Sequence, residues 1–371
     1  MTEVAVIGLG AIGSMTLWRL AQRGVVVHGY ERFGLAHDRG ASAGQTRRFS
    51  VQSQRERRFT PLAVEALDLW RELSDVTARE LFHQTGGVII GPEGTPALLS
   101  AIASADENAL PCELFGANVL RSRFPQHAVR DTDVGVIDPL AGYLRPEASV
   151  ATAVERAAAL GAQVNLFTEV LAIEAGEDGI RVVTAAGRQA YDRVVLAPGA
   201  WASELVPAAK TVVPRRLVQA WYLARRPADY RPEVFGVFER VGDVSAYGFP
   251  SLDGATVKIG IKLEQHPVVD DLHHVERSVG VDFAARLATV VREFFPGLHP
   301  DPVNLQTGIE GYSPDDLPLL GLAPSDPRLV IACGFSGAGF KFAPVLGDVA
   351  ADLATNGSTA RDVSFLAPGR L

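Results

Sequence analysis

Val4-Ala5-Val6-Ile7-Gly8-Leu9-Gly10-Ala11-Ile12-Gly13-Ser14 opens the chain, and Val25-Val26-Val27-His28-Gly29-Tyr30-Glu31 follows it after one helix length. The first four residues are apolar throughout, as a strand covered on both faces should be. Helical spacing then runs from Ser14 to Gln22 and stops at Gly24, and Val25 to Tyr30 makes a second apolar strand. A glycine pattern between two such strands is a complete βαβ dinucleotide fingerprint rather than an isolated GxGxxG. Gly8 allows the tight turn, Gly10 lets backbone approach a pyrophosphate, and Gly13 lets the helix pack on the strand. The helix N-terminus offers free N–H groups and partial positive charge to phosphates. Glu31, 23 residues after Gly8, is placed to accept hydrogen bonds from a ribose. An acid there disfavours a 2′-phosphate, which argues against NADP and leaves NAD and FAD open.

Composition sets further bounds. A chain of 371 residues is long for a single core, so two domains are expected. With 47% hydrophobic and 21% charged residues it reads as a globular protein, and a formal charge of −8 argues against a nucleic-acid or anionic-membrane partner. Cys112 and Cys333 provide neither a disulfide framework nor metal-ligand spacing, so no metal is expected. No apolar run reaches the roughly 18 residues of a membrane helix, and the first strand leaves no room for a leader. A cytoplasmic protein is the expectation.

Beyond the opening unit, Phe33 to Gln45 is rich in Gly, Ala and Ser and leads into Arg47, Arg48, Arg55, Arg57 and Arg58. Such a run suits a solvated face, but its place after the second strand brings at least one arginine towards the ligand. Helices are expected over 61–73, 97–108, 147–160, 283–294 and 343–354. Residues 82–90 read as one strand, 163–167 and 170–175 as two more, and 180–184 with 189–191 as a hairpin. Val194 to Ala197 is a buried strand breaking into Pro198-Gly199-Ala200-Trp201, where small residues let the chain pass close to a ligand. From Val212 the pattern changes to strands at 216–223, 234–239, 245–249, 256–261 and 303–309, joined by Pro, Asp and Gly turns, which predicts an antiparallel sheet. Leu329 to Cys333 is a final buried strand, breaking into Gly334-Phe335-Ser336-Gly337-Ala338-Gly339-Phe340-Lys341. Dinucleotide-type segments therefore stand at both ends and in the middle, with two insertions between them.

With these pieces placed, the chain resembles the D-amino-acid-oxidase superfamily of flavoproteins, and within it the monomeric sarcosine oxidase and N-methyltryptophan oxidase group. Gly44-Gln45-Thr46-Arg47 is similar to the family's G-x-T-R, and Tyr247-Gly248-Phe249-Pro250 with Val257-Lys258-Ile259-Gly260 to its YGFP…LKLG pair. Residues 334–342, GFSGAGFKF, are very close to its GFSGHGFKF signature. The resemblance implies an α/β fold: a Rossmann-like FAD-binding domain of glutathione-reductase type, interleaved with an α+β substrate domain built on an antiparallel sheet. Residues 1–80, 146–210 and 325–371 would form the first, and 81–145 with 211–324 the second. FAD would be held by Gly8, Gly10, Ala11, Ile12, Gly13, Glu31 and Arg32, then by Ser42, Gly44, Thr46 and Arg47. Val170, Ala197, Gly199, Trp201 and Gly308 follow, and Gly334, Gly337, Ala338, Gly339, Phe340 and Lys341 complete the set.

By the same resemblance, Lys258 would activate oxygen, because a fixed ammonium lowers the barrier to forming an anion beside it. Lys341 would hold a substrate carboxylate, with Arg47 nearby and Tyr247 lining the pocket. Departures from the pattern carry information too. The covalent flavin cysteine lies 33 residues before the signature lysine, which here is Gly308, so FAD is expected to be bound noncovalently. A carboxylate-binding arginine becomes Ser50, an active-site tyrosine becomes Glu310, and two histidines become Ala338 and Lys262. Glu310 would either meet a cationic or polar part of the substrate or pair with Lys258, Lys262 or Arg47. The expected activity is oxidation of an amino acid or related N-methylated or cyclic amine, by a monomer, to an imine and H2O2. The rivals are an amine dehydrogenase or specialised-metabolite enzyme that does not use O2, and a flavin-binding module without catalysis.

Overall fold

The computed structural model describes residues 2–177, 179–205 and 209–371. Met1, Asp178 and residues 206–208, which fall in the expected segments 1–80 and 146–210, lie outside the described residues. The opening unit forms as its residues require. Strands Glu3–Ile7 and Val26–Tyr30 run parallel, with Ile7 opposite Tyr30, and helix Ala11–Gln22 joins them. That helix begins earlier than the apolar spacing suggests, because Ser14 N–H already donates to the Gly10 carbonyl.

Segments far apart in sequence meet on this unit. Arg193–Leu196 adds beside Glu3–Ile7, Asp326–Cys333 adds beside Arg193–Leu196, and Gln163–Asn165 adds beside Val26–Tyr30, all parallel. Leu319–Ala323 closes the six-stranded sheet as an antiparallel edge. This edge strand is not evident from sequence, since Pro318 and Gly321 interrupt the apolar run. Helix Ala11–Gln22 is buried from Ile12 to Ala21 because Pro146–Ala159 and Ala343–Asn356 cover it. The second of these comes close because Gly347 has no side chain; a Cβ there would lie 2.6 Å from that of Met15.

The second body is an eight-stranded sheet. Its order is Leu298–Tyr312, Val213–Ala224, Thr256–Lys262, Ser245–Gly248, Val237–Arg240, Gly87–Pro92, Asp133–Asp138, Glu113–Gly116. It is antiparallel as expected, except that Val237–Arg240 pairs in parallel with Gly87–Pro92. Period-2 alternation decides its two faces. Ala220, Tyr222, Phe238, Ala246, Val257, Ile259 and Ile261 point into one apolar core, shared with Leu287 and Val291 of helix Val281–Phe294. The residues between them, among them Trp221, Glu239, Tyr247 and Lys258, take the opposite face. A cluster of polar side chains is thereby presented on one surface by strands that are mostly apolar.

Two strand expectations need correction. Residues 82–90 are not one strand: Phe82–Gln84 pairs within a small three-stranded sheet and Gly87–Pro92 joins the large one, with Gly86 at φ 69° between them. The expected strand 303–309 is the middle of a 15-residue strand, Leu298–Tyr312. Pro300 and Pro302 hid its first half, and they are tolerated because it is the edge of the sheet. No helix among the described residues is long and apolar enough to cross a membrane.

Candidate active site

A groove of about 1680 Å³, counted out to its open mouth, runs over the carboxyl ends of the parallel strands. Gly8 sits at φ 86°, and a Cβ on it would lie 2.5 Å from the Ala197 carbonyl oxygen. A Cβ on Gly13 would lie 1.8 Å from the Gly8 carbonyl oxygen, so this glycine sets how closely helix and strand approach. At the start of the helix no side chain caps the turn beyond Ser42 Oγ, which accepts the Ala11 N–H at 3.1 Å. Gly8, Gly10, Ala11 and Ile12 line the groove, so the positive end of the helix faces an anion bound there, with the Gly8 and Ala11 N–H groups already engaged by Tyr30 and Ser42.

Glu31 also lines the groove and is almost fully buried. Its oxygens accept the N–H groups of Leu9 and Phe33, both at 2.9 Å, and His37 lies 3.3 Å away. Burial alone would raise this carboxyl, but His37 and the two N–H donors hold it below the usual range, as an anion. Arg32, Ser42, Val170, Ala197, Gly199 and Trp201 continue the lining, and Gly334, Gly337, Gly339 and Phe340 close it from the C-terminal loop. Among the described residues the buried Trp201 Nε1 has no hydrogen-bond partner, and Trp201 lines the groove. The volume, the glycine cradle, the helix N-terminus and a deprotonated acid all fit a dinucleotide.

Other lining residues went unnoticed in the sequence. Phe33, His37, Gly40 and Ala41 come from the Gly/Ala/Ser-rich stretch, whose composition was the available signal. His273 belongs to an irregular loop without periodicity, so no pattern marked it; its Nδ1 lies 3.0 Å from Arg32.

At its inner end the groove meets Arg47 and Glu310. Arg47 donates to the carbonyls of Thr46 at 2.7 Å and Ala41 at 2.5 Å. Lys258 is 4% exposed, and its Nζ donates to the carbonyls of Gly44 at 2.6 Å and Thr46 at 3.0 Å. Trp221 and Phe249 lie within 5.4 and 5.1 Å of it. Burial, with Arg47 adding like charge, pulls the Lys258 ammonium well below its usual range, and Glu147 opposes the shift. Lys341 Nζ donates to the Ser50 carbonyl at 3.1 Å. Its pKa is lowered to about 8, first by burial and then by Arg48, against Glu239 and Asp138. The backbone at Lys341 is fixed because Trp70 Nε1 donates to its carbonyl at 2.9 Å.

Among the described residues Glu310 forms no ion pair with Lys258, Lys262 or Arg47. Its contact is the Tyr312 hydroxyl at 3.3 Å, and burial raises its carboxyl against the pull of Arg47 and that hydroxyl. Tyr247 lies with its ring where a Cβ on Gly260 would be, and burial pushes its phenol up to about 12. Ser50 is turned away, donating to buried Asp138 at 2.7 Å. Of the five clustered arginines, Arg47 reaches the groove and Arg48 pairs with Glu239 at 3.0 Å on the inner sheet face. Arg55, Arg57 and Arg58 are exposed.

Several expected contacts lie off the groove wall. Gly13 acts in packing, Gly44 and Thr46 belong to the loop behind Arg47, and Lys341 stands beyond Phe340. Ala338 is exposed on the C-terminal loop. Gly308 lies beside Gly40, and its backbone leaves ordinary contact distance, 3.5 Å to the Gly40 oxygen, for a Cβ. Cys333 is buried in the core under the sheet and Cys112 packs near Ile89 and Leu98, so neither lines the groove.

A family model described as FAD dependent oxidoreductase, DAO, matches residues 3–353. Monomeric sarcosine oxidase of Streptomyces avermitilis is 32% identical over 376 residues, covering 100% of this chain and 97% of that protein. N-methyl-L-tryptophan oxidase of Yersinia pestis is 30% identical over 373 residues, covering 99% of each. Among solved structures, the open form of NikD, an unusual amino acid oxidase essential for nikkomycin biosynthesis, superposes with a TM-score of 0.85 at 26% identity. That match covers 99% of this chain and 98% of the other. Glycine oxidase from Geobacillus kaustophilus, at 21% identity and a TM-score of 0.84, shares the fold. The glycine cradle, the acid at Glu31 and these full-length matches agree: the chain belongs to the DAO family of FAD-dependent oxidoreductases.

Proposed function

We propose that this protein is an oxidase of an amino acid or a related N-methylated or cyclic amine, giving an imine and hydrogen peroxide. The observation that carries the reading is a pair of lysines, Lys258 and Lys341. Each is drawn out of bulk water beside the inner end of the groove and held on backbone carbonyls. Bound FAD supplies the two-electron chemistry between the amine and dioxygen, and the protein supplies orientation and electrostatics. Segments 1–80, 146–210 and 325–371 hold it in this reading, with Leu319–Ala323 completing their sheet, and 81–145 with 211–324 provide the substrate side. Lys341 receives a substrate carboxylate, and Arg47 adds positive charge next to it. Tyr247, kept neutral, offers a hydroxyl and an aromatic wall. Lys258 presents its ammonium where negative charge develops on oxygen. With Ser50 tied to Asp138 and Glu310 facing the groove, the substrate differs from sarcosine and N-methyltryptophan and carries an added polar or cationic group. Peroxide release and oxygen consumption across N-methylated, cyclic and primary amino acids test the reading. It fails if no amine in the holoenzyme supports either.

FAD is held without a covalent bond, since Gly308 has no sulfur and neither cysteine lines the groove. Acid precipitation of the purified protein is expected to release the yellow colour to the supernatant. Colour retained in the pellet would disprove noncovalent binding.

The Lys341 role predicts a pH dependence. Its ammonium, the form that attracts a carboxylate, predominates below about 8. Affinity for an unreactive carboxylate such as acetate is therefore flat at lower pH and falls about tenfold per unit above that value. Lys341→Arg, which stays charged, should extend the plateau upward. Titration of the holoenzyme's absorbance with acetate at several pH values reads this, and an unchanged affinity across pH 8 would exclude the assignment.

A further inference from the structure

The loop 44–46 is held from two sides. Glu147, in the first turn of helix Pro146–Ala159, accepts the N–H groups of Gly44 at 2.6 Å and Gln45 at 3.0 Å through one oxygen. From the opposite side, the carbonyls of Gly44 and Thr46 receive Lys258 Nζ at 2.6 and 3.0 Å. The loop is wound tightly enough for both: Thr46 N–H donates back to the Gly44 carbonyl at 2.8 Å, with Gly44 at φ 102° and Gln45 at φ 69°. Gln219 packs against Gly44, where a Cβ would lie 2.2 Å from Oε1, and Trp221 Nε1 donates to Gln45 Oε1 at 3.2 Å. An ammonium from the large sheet and a carboxylate from the first body are thus joined through the 44–45 peptide group, whose carbonyl accepts from the lysine and whose N–H donates to the glutamate. The dipole of that peptide is oriented in the favourable sense for both charges.

We propose that Glu147 is a positioning residue for Lys258, fixing through the Gly44 and Gln45 N–H groups the two carbonyls on which the lysine rests. The inference rests on the reading of Lys258 as the oxygen-facing residue. The charged groups that face Lys258 are Arg47, which disfavours its ammonium beyond the effect of burial, and Glu147, which favours it. Glu147 therefore acts twice, through the loop's geometry and through its charge. Lys258 is buried at its end of this pair, where hydrogen bonds to charged groups count for more, and Glu147 is half-buried at the other.

Glu147→Gln separates the two effects, since the amide oxygen still accepts both N–H groups while the charge is lost. Glu147→Ala removes both. Lys258 ionisation is read directly, without turnover, by NMR of the lysine side-chain carbon next to Nζ in labelled holoenzyme, assigned with Lys258→Met. In Glu147→Gln the Lys258 titration moves to lower pH, and the oxygen reaction begins to fall at a correspondingly lower pH. In Glu147→Ala that reaction drops further, on the order of tenfold, more than anaerobic reduction by amine does. A Lys258 titration in Glu147→Ala identical to that in Glu147→Gln overturns the proposal, since only the alanine variant releases the two N–H groups. So does a loss spread equally over both half-reactions. If Lys258 titrates as expected but the oxygen rate ignores it, the oxygen-facing role fails and the positioning by Glu147 stands.

Discussion

Lys258→Met is expected to slow the reaction of the reduced enzyme with dioxygen by about 10²–10³-fold, the effect of removing one preorganised charge from a developing anion. Anaerobic reduction by amine should lose far less, because Lys258 rests on the carbonyls of Gly44 and Thr46 rather than on the groove wall. Stopped-flow absorbance separates the two half-reactions. The wild-type oxygen rate should also fall as pH rises through the lowered Lys258 pKa, since the ammonium is the active form, and the variant should lose that limb. Methionine keeps the length but not the bonds to the loop, so flavin content must be measured first. Equal loss in both half-reactions at normal flavin content would assign Lys258 a structural role.

Gly13→Ala should leave the protein without FAD and reduce its stability by about 3 kcal/mol, the upper range for forcing an atom into a packed site. The added carbon would lie 1.8 Å from the Gly8 carbonyl oxygen and 3.4 Å from Ala197 Cβ. Backbone cannot swing aside as a flexible side chain can, so helix Ala11–Gln22 must lift from the strand it packs on. Gly10→Ala is the control. Its new carbon would meet nothing nearer than Ser42 Oγ at 3.5 Å. That variant should fold normally and lose affinity for FAD alone. Denaturation curves and flavin content check both, and a yellow, fully stable Gly13→Ala would refute the packing role.

These two variants mark how much of the site was legible in the chain. The βαβ unit could be read because every level agrees there: strand, glycine spacing, helix and acid lie within thirty residues. The change to an antiparallel sheet could be read from turn chemistry, and Lys258 and Lys341 from resemblance. Edge strand Leu298–Tyr312 was half hidden, because prolines that stop an inner strand are tolerated at an edge. The pairing of Arg48 with Glu239, the turning of Ser50 onto Asp138 and the grip of Glu147 on Gly44 could not be read at all. Each joins residues about ninety or more positions apart, and local propensity carries no trace of such a contact.

Amine oxidation by bound FAD is tested most directly by one absorbance experiment on the holoenzyme. Under anaerobic conditions, N-methylated, cyclic and primary amino acids are added in turn, and air is then readmitted. At least one amine is expected to bleach the yellow band, with colour returning in air as hydrogen peroxide appears. If a chemical reductant bleaches the band and no amine does, the protein binds flavin without acting on amines.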